Sequence, residues 1–228
     1  MPQTAHGPLR SYGRIKTRAI KPRQEALLES LLPTIAVPDP AAGPIDVSAL
    51  MPGAAAVWLE IGFGGGEHLA GQAAAHPDTL MIGAEPFLNG VASAVRHVHE
   101  ANLSNVRLLQ GDARALADAL PDACLDRVII LFPDPWPKTR HHKRRIVQPE
   151  FLAVLARLLK PGGSLRFATD VAGYADWALQ RLIAAPDFRW TAQSAADWRT
   201  PPADHLTTRY ETKKLGDCAP VFFDFVRT

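Results

Sequence analysis

From about residue 55 onward, short apolar runs alternate with stretches whose apolar residues recur at helical spacing. The runs are VWLEI (57–61), LMIGA (80–84), VRLLQ (106–110), RVIILF (127–132) and SLRFAT (164–169). Near-continuous apolar runs of this length suit strands buried on both faces, as in a parallel sheet. The stretches 66–75, 87–100, 113–119, 148–159 and 171–184 between and after them predict helices. This alternation predicts a doubly wound α/β fold, a mostly parallel sheet with helices on both faces. Two late runs, FRWTA (188–192) and VFFDF (221–225), raise the strand count to seven and predict an antiparallel edge.

The first 54 residues break this rhythm. Residues 1–24 are polar, basic and aperiodic and read as a flexible arm, QEALLESLL (24–32) predicts a short amphipathic helix, and residues 33–52 carry five prolines. No regular element is expected to persist in that last stretch. The expected division is therefore an arm, short helix and linker over 1–54, and a folded domain over 55–228.

The composition of the 228 residues, 47% hydrophobic and 21% charged, fits one globular domain. No run approaches the roughly 18 apolar residues needed to cross a bilayer, and MPQTAHGPLR has no apolar stretch suited to a signal sequence. A cytoplasmic location without membrane contact is expected. Cys124 and Cys218 are distant in sequence and lack metal-ligand spacing, so neither a disulfide framework nor a zinc site is suggested.

The formal charge of +2 hides an asymmetry. Basic residues cluster at Arg10, Arg14, Lys16, Arg18, Lys21 and Arg23, and again at Lys138, Arg140, Lys143, Arg144 and Arg145, with no acid in either stretch. The remaining 14 Lys and Arg face all 23 Asp and Glu, so an acidic body carries two basic segments. That distribution suits contact with a polyanion at one place. His141 and His142 belong to the second basic run, and no metal role is assigned to them.

In a doubly wound sheet, ligands bind beyond the carboxyl ends of the strands, where the winding reverses. VWLEIGFGGGEHL ends its strand at Glu60 and then supplies Gly62, Gly64, Gly65 and Gly66 before a helix opens at about Glu67. A dinucleotide fingerprint would need Gly or Ala where Glu67 stands, and an acid at a helix start opposes a pyrophosphate. An acidic residue beside a glycine turn suits a cationic, phosphate-free cofactor better. Glu85, at the end of the second strand, is placed to accept ribose hydroxyls, and Asp112, after the third, to accept an adenine amine. S-adenosylmethionine is the simplest ligand that fits all three.

The fourth strand runs into PDPWPKTRHHKRR. Pro133, Pro135 and Pro137 are expected to hold the segment extended, with Asp134 and Trp136 exposed between them near the reactive end of the cofactor. An aromatic ring beside a carboxylate can receive a planar base by stacking and edge hydrogen bonds.

Together, ExGxGxG at 60–66, Glu85, GDA around Asp112, FPDPWPK with its basic run (132–145), ATD followed by Tyr174 and Trp177, and TRYE (208–211) resemble the bacterial tRNA (guanine-N7)-methyltransferases. The glycine loop is common to class I S-adenosylmethionine-dependent methyltransferases, whereas FPDPWPK and TRYE in this order are specific. The resemblance covers residues 55–225, with a weaker echo in RSYGR (10–14). It implies a Rossmann-like fold, and an S-adenosylmethionine site formed by Glu60, Gly62, Gly64, Gly66, Glu85, Asp112 and Asp134, with Asp134 also catalytic. It further implies tRNA contacts from Lys138, Asp170, Thr208, Arg209, Tyr210 and Glu211. Arg140, Lys143, Arg144 and Arg145 are expected to meet the RNA backbone. The arm RSYGRIKTRAIKPRQ keeps the basic character but departs from the family's arm.

Guanine N7 carries a free lone pair at neutral pH, so its methylation requires no proton removal from the nucleophile. N7 is inaccessible in the deep groove of A-form RNA, which favours a loop nucleotide such as one in the tRNA variable loop. A small-molecule methyltransferase would have little use for the clustered cations. A noncatalytic RNA-binding protein on the same fold would not need the cofactor acids. The chain has both, which favours an RNA-modifying enzyme; both a monomer and a homodimer are compatible with the sequence.

Overall fold

The computed structural model describes residues 19–228. Its sheet contains β1 (Ala56–Ile61), β2 (Thr79–Ala84), β3 (Val106–Leu109), β4 (Leu125–Leu131), β5 (Leu159–Thr169), β6 (Phe188–Trp190) and β7 (Val221–Arg227). The spatial order is β3-β2-β1-β4-β5-β7-β6. β1 to β5 are parallel, while β7 runs antiparallel between β5 and β6. The winding reverses between β1 and β4, and the cleft at their carboxyl ends receives the glycine loop.

The helices are α1 (Pro22–Ser30), α2 (Leu32–Ile35), α3 (Val47–Leu50), α4 (Glu67–Ala75), α5 (Leu88–Glu100), α6 (Ala113–Ala119), α7 (Pro149–Leu158), α8 (Ala172–Ala184) and α9 (Ala196–Arg199). Side chains alternate across the sheet, as strand geometry requires. Leu80, Ile82 and Ala84 of β2 join the core under α6, α7 and α8, whereas Met81 joins the opposite core under α4 and α5. On that second face, Ile129, Leu131, Ala168 and Phe222 form a separate apolar patch. The segment leading to residue 210 packs there: the His205 ring lies 4.8 Å from Phe222, and Phe132 stacks on Tyr210 at 5.6 Å.

The proline-rich stretch differs from its expectation. Ile35, Val37, Ile45, Val47 and Leu50 are all buried in the two main cores. The Val37 amide donates to the Leu108 carbonyl at 2.9 Å, and the Ile45 amide to that of Ala119 at 2.9 Å. Asp39 and Asp46 accept from Ala41 and Ser48 amides, so short turns persist where longer elements are blocked. The prolines limit element length, but the apolar residues between them still bury, and the packed chain begins well before Ala55. The arm reading is also shortened, because α1 starts at Pro22; the echo at residues 10–14 and the basic residues up to Arg18 lie outside the described residues.

Ile45 is 3% exposed, so Ile45→Ala should destabilise the fold by about 2–5 kcal/mol, measured as a shift in denaturant midpoint. A change below roughly 0.5 kcal/mol, the usual range for surface substitutions, would return this stretch to the status of a detachable linker.

Candidate active site

The glycine loop turns as its sequence requires. Gly62, Gly64 and Gly66 have φ of 71°, 55° and 80°, in the left-handed region that glycine enters without a side-chain clash. At Gly66 packing adds a second constraint, since a Cβ there would lie 2.5 Å from the Cβ of Ala94 on α5. At Gly62 and Gly64 a Cβ would meet nothing within 4 Å, so the backbone is bare toward open space.

That space is a cavity of about 1120 Å³. Glu60, Glu85, Asp112 and Asp134 line it, together with Gly62, Gly64 and the aromatic residues Phe87, Phe132 and Trp136. Thr208, Arg209 and Tyr210 line it from the C-terminal segment. Residues separated by some 150 positions in the sequence thus share one pocket.

The acids are held differently. Glu85 is buried and accepts from the Gly64 and Phe87 amides, both at 2.9 Å. Burial, with the nearby Asp134 charge, raises its pKa from the ordinary glutamate value against the opposing pull of those two amides. Asp112 caps α6, accepting from the Arg114 amide at 2.9 Å, and pairs with the Arg114 guanidinium at 3.3 Å. Glu60 is 2% exposed and accepts from Nδ1 of His68 at 2.8 Å. Asp134 is exposed.

The segment around Asp134 is not uniformly extended. Phe132 and Trp136 have φ of 48° and 43°, an unfavourable region for bulky side chains, and they bracket Asp134. Arg145 supports the turn from beneath: its Nε donates to the Pro135 carbonyl at 2.7 Å, and its guanidinium lies 4.8 Å and 4.9 Å from the ring centres of Tyr174 and Trp177. At 4% exposure, Arg145 is unavailable to an RNA backbone, which corrects that expectation.

The rest of the basic run forms a 3-10 helix over Thr139–Arg144, whose period of three assigns its residues to different edges. Arg140 and Lys143 are exposed, as is Lys138 just before them. His141 and Arg144 meet Trp136, at 6.0 Å and 4.9 Å between ring or guanidinium centres. His142 turns inward against Trp177 at 4.9 Å. Arg144 therefore belongs to the cavity lining as well as to the basic run.

Of the remaining substrate candidates, Asp170 is buried; burial and the nearby Asp170 carboxylate raise the pKa of the Tyr210 hydroxyl. Glu211 turns back on its own segment, accepting from Nε2 of His205 at 2.9 Å and the Thr208 amide at 2.7 Å. Burial pushes Glu211 upward, but these donors prevail and hold it below its ordinary value. Neither carboxylate lines the cavity; both shape the segment that does.

The sequence pattern does not disclose that segment's anchor. Asp204 accepts from Arg127 at 2.7 Å and Arg166 at 2.6 Å, and Arg166 also grips Asp224 of β7 through two bonds at 2.7 Å and 2.9 Å. Burial would raise Asp204, but the two guanidinium groups outweigh it and hold its carboxyl well below the usual range. The available signal is an arginine in each of two strands that enter the core, which demands acidic partners. Among the described residues, no group of His, Cys, Asp or Glu is arranged to hold a metal ion.

A family described as putative methyltransferase matches residues 54–222. The tRNA (guanine-N7)-methyltransferase of Caulobacter vibrioides is 66% identical over 226 residues, covering 99% of this chain and 98% of the relative. That of Hyphomonas neptunium is 54% identical, covering 95% and 99%. The chain belongs to the tRNA (guanine-N7)-methyltransferase family. Among solved structures, an rRNA methylase from Streptococcus thermophilus has 12% identity and a TM-score of 0.52, with 75% of this chain and 86% of that one covered. The 16S rRNA methyltransferase KamB has 16% identity and a TM-score of 0.52, covering 79% and 92%. These two likenesses concern the fold alone, and they agree with the Rossmann-like sheet expected from the sequence.

The protein is an S-adenosylmethionine-dependent methyltransferase. Its cavity suits that cofactor: the backbone is open at Gly62 and Gly64, and the acids around it suit a ligand carrying hydroxyl donors and positive charge. On the assignment of Glu85 to the ribose, Glu85→Ala should weaken binding of S-adenosylmethionine by about 1.5–3 kcal/mol in calorimetry. Such a contact would use the ionised carboxylate, so ligand binding would lower its pKa. Affinity should accordingly fall as pH decreases toward the raised pKa of the ligand-free carboxylate, at a higher pH than an unshifted glutamate would cause. An affinity that does not fall as this carboxylate becomes protonated would refute the contact.

Proposed function

We propose that this methyltransferase transfers the methyl group of S-adenosylmethionine to N7 of guanine 46 in the tRNA variable loop. The carrying observation is the cavity that joins Glu60, Glu85, Asp112 and Asp134 to Trp136 and the Thr208–Tyr210 segment. The activity by which relatives up to 66% identical are named supports the same reading. Residues 55–228 would form the catalytic domain, strapped by the preceding chain. The site of action would be the cytoplasm; among the described residues, no helix is long and apolar enough to cross a membrane.

S-adenosylmethionine, when bound, supplies an electrophilic methyl group on a sulfonium. Glu60, Glu85 and Asp112 would hold it, and Asp134 would face the base. N7 needs no deprotonation, so the protein's task is orientation, which can contribute about 7–11 kcal/mol through proximity. Positive charge develops on the guanine ring, and the carboxylate of Asp134 would stabilise it through the N1 and N2 edge. Trp136 offers a stacking face, while Lys138, Arg140 and Lys143 would hold phosphates. Thr208, Arg209 and Tyr210 would position the nucleotide from the opposite wall, supported by Asp170 and Glu211.

The test is transfer of labelled methyl from S-adenosylmethionine to bulk tRNA, followed by nucleoside analysis and mapping of the labelled position. Label in 7-methylguanosine at position 46 is the expected result. Label on another atom, or none in tRNA, would overturn the reading.

A further inference from the structure

His68 is buried near the start of α4, within the cavity lining, and its Nδ1 lies 2.8 Å from the Glu60 carboxylate. Its other ring nitrogen, Nε2, lies 3.3 Å from the amide nitrogen of Gln72, four residues later on the same helix. Gln72 determines where the imidazole proton sits. The Gln72 amide nitrogen is also 2.6 Å from the Asp204 carbonyl, which can only accept, so the NH2 end of the amide must stand there. Its second hydrogen then serves His68 Nε2. Nε2 is the acceptor, and the ring proton resides on Nδ1, donated to Glu60.

Asp204 lies at the base of the segment bearing Thr208–Glu211, with its carboxylate fixed to the sheet by Arg127 and Arg166. The same segment crosses α4 closely enough that a Cβ on Gly71 would collide with the Leu206 side chain. The His205 ring lies 5.9 Å from that of His68, and His205 bonds in turn to Glu211. One face of α4 therefore contacts both the carboxylate in the cavity and the segment that closes it.

We propose that His68 and Gln72 are positioning residues that connect Glu60 to the Asp204 backbone and couple cofactor binding to the setting of Thr208–Glu211. This rests on the reading of the cavity as the S-adenosylmethionine site and of Thr208–Glu211 as part of the tRNA site. A buried carboxylate is strongly oriented by its donor, so a shift of Glu60 on ligand binding is felt at His68 and Gln72. Thermodynamic coupling is reciprocal, so tRNA should tighten the cofactor product as much as the product tightens tRNA.

The test is calorimetric titration of S-adenosylhomocysteine into the full-length protein, with and without saturating bulk tRNA. Two substitutions separate the two ends of the imidazole. Asparagine places an amide N–H near the position of Nδ1 but stops short of Gln72, whereas glutamine extends its amide toward Gln72 and leaves Glu60 without its donor. His68→Gln should weaken S-adenosylhomocysteine binding at least tenfold, and His68→Asn by less than threefold. In the natural protein tRNA should tighten S-adenosylhomocysteine at least fivefold, at the lower end of typical coupling. In His68→Asn and in Gln72→Leu this tightening should fall below twofold.

Equal weakening by the asparagine and glutamine variants would reduce His68 to a packing role. Tightening that is absent from the natural protein, or fully kept in His68→Asn and Gln72→Leu, would remove the path to Asp204. Should His68→Gln fail to fold, by thermal melting, the other two variants still decide the coupling. A natural protein that takes up no S-adenosylhomocysteine would overturn the cofactor-site reading itself, and one that binds no tRNA in a direct tRNA titration would overturn the tRNA-site reading. Both results differ from a failure confined to the variants.

Discussion

Asp134→Ala should lower turnover by about two to three orders of magnitude, the usual cost of removing one preorganised charge-stabilising group, while leaving the fold intact. The side chain is exposed and belongs to none of the apolar cores, so its removal should leave a cooperatively folded protein. The backbone of the turn is held by the Phe132 amide, which donates to the Ala168 carbonyl at 2.8 Å, and by Arg145 beneath Pro135. Single-turnover methylation at saturating S-adenosylmethionine, alongside a thermal melt, separates the two effects. Asp134→Asn distinguishes charge from hydrogen bonding: nearly full activity would mean that accepting from the base edge suffices. There is also a signature at Glu85, whose pKa is raised in part by the Asp134 charge. Removing that charge should lower the Glu85 pKa and shift the pH dependence of cofactor binding downward. Retained turnover in Asp134→Ala would reduce this residue to a turn position.

What the sequence discloses depends on the range of the interactions involved. Strand runs such as VWLEI and LMIGA are legible because burial on both faces leaves little room for polar residues, and β1 and β2 lie within one residue of their expected bounds. β5 is expected from residue 164, but it begins at Leu159, because the Pro161–Gly163 insertion interrupts its pairing with β4 without ending the strand. The glycine loop and the acids after each strand are legible because a doubly wound sheet brings its strand ends together. Arg145 is not, since a cation within a basic run gives no local sign that two aromatic rings of α8 lie beneath it. Nor is the linkage of Glu60 to His68 and Gln72. Two polar residues four apart share a helix face, but only the folded segment around Asp204 reveals that the face is buried. The proline-rich stretch misleads for a related reason: proline limits local structure but does not prevent Val37 and Ile45 from entering the core.

Replacing Lys138, Arg140 and Lys143 together by serine should reduce the steepness of the salt dependence of tRNA binding. All three are exposed, and each phosphate of a single-stranded or mixed site that is no longer neutralised should change the log–log slope by about 0.7, or about 2 for the set. Over a tenfold change in salt, the variant would then gain or lose about 100-fold less affinity than the natural protein. S-adenosylmethionine affinity should change little, since none of the three lines the cavity. Arg144 and Arg145 are excluded because they act elsewhere: Arg144 lies over Trp136, and Arg145 is buried beneath Pro135. Arg145→Ser supplies the contrast. It leaves the Pro135 carbonyl without its donor, at a cost of about 1–3 kcal/mol in stability, and should lower turnover through the Asp134 turn while keeping the slope of the natural protein. The measurement is a tRNA titration at several salt concentrations for the three proteins. A slope unchanged in the triple variant would mean that these cations face solvent in the complex. A slope reduced in Arg145→Ser would mean that its guanidinium leaves the rings of Tyr174 and Trp177 when tRNA binds.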